Sequence, residues 1–438
     1  MVARRGGRSG RFFLQRRKLA VPALRRSPRW LELLYVGRAG HSMMFSAYSG
    51  VLPAVSLAWG LSASEAGAIQ SAWHLGFLVS LFATGILADR HGARATVLRS
   101  SQLAAASALL FAMLADGFWS AFLLYGLAGL CTGGTYTPAL KLIFEEADPA
   151  QRGRAMGGYL AAGSVGYALA LGSIALLVTV GWRVGLLCAA GGALVGSAFV
   201  YRALAGMEDR EPAGASPSPL RGIANLRHNP AALSCIGAYT AHCWELLGMW
   251  AWLPAFVTAA AVTAGGADRT VAGASGIAVA GLSHLVSAAG SVVGGSLSDR
   301  YGRAAVMMVA TMASLACSFA FGWLYAAPLW LLAVFALVYN LAAIADSSVY
   351  STALAEVVPA QSIGAAYSLR SLTGFAAGAL APWVFGLALD AGRGWWGDSA
   401  SAWALAWSVL AAGGLVGIPL IAIYRRHARL PAESGVRD

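Results

Sequence analysis

The chain has 438 residues, of which 58% are apolar and 11% charged, and its formal net charge is +12. Soluble domains carry about 25% charged residues, and the mean hydropathy here is +0.64. The composition therefore excludes a soluble globular protein, a disordered chain and a disulfide scaffold. Because the apolar runs are continuous rather than alternating, it also argues against a transmembrane β-barrel.

Twelve apolar stretches are each long enough to cross the bilayer as a helix of about 20 residues. They lie at 31–58, 66–88, 95–115, 118–140, 153–180, 182–204, 230–262, 272–296, 304–325, 328–350, 361–389 and 400–424. We predict an all-α polytopic membrane protein with two six-helix bundles, at 30–204 and 229–424. A cytoplasmic linker is expected at 205–228, a basic disordered tail at 1–29, and a second cytoplasmic tail at 425–438.

The basic residues are distributed unevenly across this topology. With the N-terminus inside, 26 of the 31 Lys and Arg fall on the cytoplasmic side, which is the positive-inside pattern. We therefore interpret the charge as topological, not as a nucleic-acid signal, and expect the basic tail to contact anionic lipids. An Ala-, Gly- and Arg-rich composition favours a bacterial cytoplasmic (inner) membrane, with both termini in the cytoplasm.

The two halves of the sequence resemble each other at a single offset of 210 residues. This offset aligns 85–92 with 295–302, 146–151 with 356–361, and His74 with His284. Each half contains six helices, an even number, so both halves face the same way. That predicts a parallel repeat about an axis along the membrane normal, the arrangement of a rocking two-bundle transporter.

The repeated segment carries a recognisable motif. Its first copy contains Gly85, Asp89, Arg90, Gly92 and Arg94, and its second contains Gly295, Asp299, Arg300, Gly302 and Arg303. This pattern resembles the loop signature between the second and third helices of the major facilitator superfamily, which implies alternating access around a central cavity.

The motif residues also suggest a gate on physical grounds. The glycines allow close packing and a tight turn. Asp89 could accept hydrogen bonds from a facing helix N-terminus or pair with a nearby Arg. The alternative is a solvated charged turn.

Polar residues inside the spans are functional candidates, because a charge near the bilayer centre costs at least about 2.5–3.5 kcal/mol. Arg38 could bind a carboxylate or another oxyanion, or it could snorkel to the interface. His74 and His284 fall near the midplane and could line the cavity or relay protons, or could form interhelical hydrogen bonds. The candidate substrate-binding residues are Arg38, His41, Gln70, His74, Tyr136, His284, Asp346 and Arg370.

The seventh helix carries a candidate proton-coupling pair, Glu245 and His242, on one face. Burial disfavours a charged carboxylate, so Glu245 could take up and release a proton that His242 tunes or shares. A structural ion pair between Glu245 and an Arg or Lys is the alternative. Asp346 and Arg370 could neutralise each other, or Arg370 could be free for an anionic substrate in one state.

We predict a proton-coupled secondary transporter, acting as a symporter for a small organic anion such as a carboxylate. A proton-driven efflux pump for lipophilic compounds is the alternative, although the fourth helix lacks the Arg, and the fifth the Gly-Pro pair, typical of the superfamily's drug antiporters. A metal site at His242 and Glu245, or a receptor-like role, is less favoured. We expect a monomer with no cofactor, metal or enzymatic activity, whose partners are its substrate, protons and lipid.

Overall fold

The computed structural model describes residues 29–148, 151–209, 226–265, 268–359 and 362–428, and these residues form helices and turns but no strand. The predicted tails fall almost entirely at 1–28 and 429–438, and most of the predicted linker at 210–225, all outside the described residues. The helices are α1 Trp30–Trp59, α2 Ala63–His91, α3 Ala93–Leu114, α4 Phe118–Thr132, α5 Thr137–Glu146, α6 Arg152–Leu177, α7 Trp182–Ala203, α8 Pro230–Gly265, α9 Arg269–Tyr301, α10 Arg303–Phe321, α11 Leu329–Ile344, α12 Ser347–Val357, α13 Ile363–Trp396, α14 Ala400–Leu415 and α15 Gly417–His427.

These helices form twelve membrane-crossing units in the described part of the chain. Three units are broken and continue after a short interruption, as α4–α5, α11–α12 and α14–α15. Ten units are long and apolar enough to cross a membrane by length and composition. The other two are α1 and the α4–α5 unit. The predicted all-α, twelve-helix membrane fold is confirmed.

The internal repeat is visible in the backbone. Gly92 separates α2 from α3 with φ 89°, and Gly302 separates α9 from α10 with φ 91°, both with ψ 147°. A side chain would be strained in this conformation, so both positions require glycine. The α4–α5 and α11–α12 breaks also match, because Tyr136 and Asp346 lie at them and are 210 residues apart.

The motif predicts a loop around Asp89, but this residue lies within a helix. Helix α2 continues through Asp89 to His91, so the connection to α3 is the single residue Gly92. A Cβ at Gly85 would meet nothing within 4 Å, whereas at Gly295 it would lie 3.5 Å from Ser348 Oγ. In this conformation Gly85 is therefore not used for close packing.

The two halves pack together at one end of the molecule. We call the end with the Gly60 and Gly397 turns the far end, and the end with Gly92 and Gly302 the motif end. A Cβ at Gly67 in the first turns of α2 would lie 2.8 Å from the Pro382 carbonyl carbon in α13. This backbone approach, possible only because the residue is glycine, brings the two halves into direct contact at the far end.

Candidate functional site

A cavity of about 240 Å³ lies between the halves, toward the motif end. Residues from both halves line it, which fits the expected position of a central binding site. Among the described residues that form its wall there is an Arg but no Asp or Glu. The polar and aromatic lining includes Arg38, Tyr136 and Tyr167 from the first half and Tyr239, His242 and Ser347 from the second.

Arg38 projects from α1 into the cavity wall and is only 6% exposed. Its guanidinium carbon lies 5.0 Å from the ring centre of Tyr136 and 5.6 Å from that of Tyr159. Its Nε atom is buried and has no hydrogen-bond partner among the described residues. The side chain therefore does not snorkel, and its residue forms part of the cavity wall.

His41, one turn after Arg38, is held by the protein itself. Its Nδ1 is 2.7 Å from the Gly37 carbonyl oxygen, and its Nε2 is 3.0 Å from Ser101 Oγ on α3. Both ring nitrogens are therefore engaged, although the residue also contributes to the cavity wall. His41 therefore links α1 to α3 and also forms part of the cavity wall.

Gln70, His74 and His284 lie apart from this cavity. They line a separate, water-sized space of about 10 Å³ between the halves. Phe45 and Trp250 border both spaces, with ring centres 6.0 Å apart. These rings separate the three polar residues from Arg38, so the predicted binding residues do not form one continuous site in this conformation.

His242 pairs with Asp346. His242 Nδ1 lies 3.0 Å from Asp346 Oδ1, within ion-pair distance but outside hydrogen-bond alignment. Ser347 Oγ is 2.7 Å from His242 Nε2, and Thr311 Oγ1 donates to Asp346 Oδ2 at 3.3 Å. Asp346 is 2% exposed, so this cluster is a buried polar link between α8, α10 and the α11–α12 break.

The proposed Asp346–Arg370 pair is therefore wrong for this conformation. Arg370 instead donates to Ser351 Oγ at 2.6 Å and stacks over the rings of Tyr239 and Tyr367, at 4.4 and 4.9 Å. The two charges belong to neighbouring helices but face different partners. Arg370 borders the site only through Tyr239, which lines the cavity.

Glu245 faces α10 rather than the cavity. It is 4% exposed, and its Oε2 accepts a hydrogen bond from Ser314 Oγ at 2.9 Å, while Oε1 has no partner among the described residues. In the same part of the chain, no Lys or Arg is within ion-pair distance of this carboxyl group. The alternative of an ion pair is therefore not observed, and His242 is the member of the pair that reaches the cavity.

The first motif copy is joined to neighbouring elements by charge. Asp89 pairs with Lys141 of α5 at 2.5 Å. The start of α3 is capped by Asp209, whose Oδ1 accepts from the Arg94 backbone N–H at 2.9 Å, and Arg94 Nε donates to the Leu204 carbonyl at 3.0 Å. Asp89 is predicted to cap a facing helix or to pair with an Arg; in the structure it pairs with a Lys, and Asp209 caps α3.

The second motif copy is organised around Arg303. Its guanidinium group bonds Asp299 in the motif and Glu356 at the end of α12, the latter at 2.9 Å. Arg300 lies over the ring of its neighbour Tyr301, at 5.3 Å. Glu356 belongs to the second aligned segment of the repeat, so the sequence held a signal for this contact. Arg90, in the first copy, is exposed.

One contact at the far end was not anticipated. Asp390 of α13 accepts hydrogen bonds from the first backbone N–H groups of α2, at 2.8 Å from Ala63 and 2.8 Å from Ser64. A carboxylate at a helix N-terminus is electrostatically favourable. This contact joins the two halves, and no motif or repeat pointed to it.

The described residues contain no group of three or more His, Cys, Asp or Glu side chains arranged to hold a metal ion. His242 and Glu245 do not converge, because one contacts Asp346 and the other Ser314. The geometry thus does not favour the metal-site alternative for this pair.

Comparison with known proteins identifies the family that has this architecture. A family model described as Major Facilitator Superfamily matches residues 34–382. A probable 4-methylmuconolactone transporter of Cupriavidus pinatubonensis is 29% identical over 283 residues, which cover 61% of this chain and 62% of that protein. An uncharacterized MFS-type transporter of Mycobacterium tuberculosis is 31% identical over 131 residues, 30% of this chain and 29% of that one. The chain thus spans less than two thirds of the length of either relative.

Solved structures agree on the fold. A bacterial homolog of the human lysosomal transporter Spinster, inward-facing and unoccupied, matches with a TM-score of 0.72 and 15% identity over 91% of this chain and 96% of that one. The nucleoside transporter NupG matches with a TM-score of 0.71 and 15% identity over 90% and 99%. At this identity the similarity concerns the fold alone.

Proposed function

The chain belongs to the Major Facilitator Superfamily, and we propose that it is a secondary active transporter that carries a small organic anion, such as a carboxylate, coupled to protons. The observation that carries this proposal is Arg38, a buried cation in the wall of the cavity between the halves, whose described lining holds no carboxylate. Guanidinium groups bind carboxylates in a forked geometry. We propose that Arg38, His41 and Tyr136 contact the substrate.

The charge of the cavity favours an anion over a lipophilic cation. Its described lining contains Arg38 and no Asp or Glu, and the carboxylate behind His242 is already paired. A bound cation would find no carboxylate and would face a buried guanidinium. The relative from Cupriavidus is named for a lactone, which supports an organic solute rather than an inorganic ion.

The way the halves are joined supports our proposal of alternating access. Contacts at the far end, including that of Asp390 with α2, close one side, and the cavity lies toward the other. With the motif end in the cytoplasm, as the positive-inside pattern predicts, this is an inward-facing conformation. Gln70, His74 and His284 would then line the part of the path that opens toward the outside, with the motif residues acting at the cytoplasmic gate.

We assign proton coupling to His242 and Glu245. His242 links the cavity to Asp346, and Glu245 is buried one turn away with one oxygen unpartnered. A proton bound by His242 or Glu245 would change the charge in or behind the cavity wall. Substrate binding and protonation can be linked in this way. Arg370 packs against the ring of Tyr239 and supports that part of the cavity wall.

A proton-driven efflux pump for lipophilic compounds is the second candidate, because aromatic side chains make up much of the cavity wall. For either substrate we propose a monomer without cofactor or enzymatic activity. We place it in a bacterial cytoplasmic membrane, with both termini inside.

A thermal-shift screen of the purified protein tests the proposal. Carboxylates, inorganic oxyanions and lipophilic cations are added to the wild type, Arg38→Gln and Arg202→Gln, a control in which an exposed Arg at the end of α7 is changed. A ligand at 100 times its Kd stabilises the folded state by about 2.7 kcal/mol. We expect a carboxylate to stabilise the wild type and Arg202→Gln but not Arg38→Gln. Stabilisation by lipophilic cations alone would put the efflux pump first.

A further inference from the structure

The wall of the central cavity is rich in aromatic rings. Eight of its twenty lining residues in the described chain are Phe, Tyr or Trp. Phe45 stacks on Tyr167 at 4.5 Å with an interplanar angle of 29°, and Phe77 meets Phe375 of the other half at 5.2 Å. Such faces interact well with a planar ring in stacked or edge-on contact.

The cavity offers one permanent positive charge. Arg38 is the single Arg or Lys among its described lining residues, and Arg370 lies behind Tyr239 with its guanidinium on Ser351. One guanidinium can balance one carboxylate. A second carboxylate on the same ligand would be buried without a cationic partner, which is costly.

The size and spacing of the site suit one substituted ring. An apolar cavity of roughly 150 Å³ holds a benzene molecule, so about 240 Å³ leaves room for a carboxylate and small substituents. Arg38 and Phe45 are seven residues apart on one face of α1, about 10.5 Å along the helix axis. A carboxylate at Arg38 would therefore place an attached ring between Arg38 and the Phe45–Tyr167 stack.

We infer that the substrate is a monocarboxylate carried on a planar aromatic or unsaturated ring. This inference rests on the proposed function and narrows it. Short aliphatic acids would leave the aromatic faces uncovered, and dicarboxylates would carry one charge too many. Ser164 in the wall supplies a hydroxyl group that can bond a polar ring substituent.

Four probes separate the parts of this inference in a thermal-shift titration of the purified protein in detergent. They are benzoate, propionate, phthalate and benzamide. We expect benzoate to bind at least about tenfold more tightly than each of the other three, because each lacks one feature of the inferred ligand or adds a charge. The preference should disappear in Arg38→Gln.

Each contrary result has a separate meaning. Equal stabilisation by propionate and benzoate overturns the ring requirement and leaves the anion transporter standing. Equal stabilisation by phthalate overturns the single charge. Equal stabilisation by benzamide overturns the anion proposal itself, and so does a failure of every carboxylate to stabilise the protein.

A matched pair of variants tests the wall directly. Phe375→Leu removes a ring from the cavity, whereas Phe319→Leu makes the same change on an outer surface of α10, where Phe319 is 39% exposed. We expect Phe375→Leu to weaken benzoate binding about fivefold and Phe319→Leu to leave it unchanged. Equal effects, or none from Phe375→Leu, would overturn the aromatic contact. Because Phe375 is only half-buried, we expect the variant to fold.

Discussion

Asp390 is the side chain whose charge we expect to hold the far end closed. Its two carboxylate oxygens accept hydrogen bonds from Ala63 and Ser64 at the start of α2, each at 2.8 Å. These bonds cross from one half to the other, so they must break when the far end opens. Their loss should therefore favour the outward-open state.

The size of the effect follows from these two bonds. Hydrogen bonds to a charged group contribute roughly 1.5–3 kcal/mol each, and the N-terminal helix dipole adds to the attraction. Because the contact is half-buried, water recovers part of this energy. We expect Asp390→Ala to shift the equilibrium by about 2 kcal/mol, or roughly 30-fold, since 1.4 kcal/mol is tenfold. Asp390→Asn keeps one acceptor and should shift it by less.

Distances between spin labels report this equilibrium. Labels at Leu57 and Trp396, exposed at the far ends of α1 and α13, can be measured by double electron–electron resonance after the five native cysteines are replaced. Glu65→Gln is the control, because Glu65 caps the same helix but accepts from Ser62 N–H within its own half. If the longer distances are as rare in Asp390→Ala as in Glu65→Gln, Asp390 does not hold the far end closed.

Three further predictions concern the backbone, the buried pair and proton coupling. Gly302→Ala should lower stability by about 1–3 kcal/mol, because φ is 91° there, whereas Gly85→Ala, with open space around it, should leave the melting temperature unchanged or raise it. A double-mutant cycle in urea should show coupling above about 0.5 kcal/mol between His242 and Asp346; additivity would contradict the pair seen here. Glu245→Gln should abolish accumulation driven by a pH gradient in proteoliposomes while substrate exchange continues, and full accumulation would exclude its coupling role.

The sequence alone determined the fold class and the internal repeat. Hydropathy is a local property, so long apolar runs predict transmembrane helices without any knowledge of their neighbours. A single 210-residue offset predicted two similar halves, and Gly92 and Gly302 have nearly the same φ and ψ in the structure. Helical spacing also places Arg38 and Phe45, seven residues apart, on one face of α1, and both line the cavity.

Only the tertiary structure decided which partner each buried polar group has. Helical spacing gives the face on which a residue lies, but the neighbouring helix depends on rotation and register between helices. Asp346 therefore meets His242 rather than Arg370, and Glu245 meets Ser314. Asp390 contacts α2, more than 300 residues earlier in the chain. Such a contact exists only because packing of the halves brings a carboxylate to the free N–H groups of a helix end.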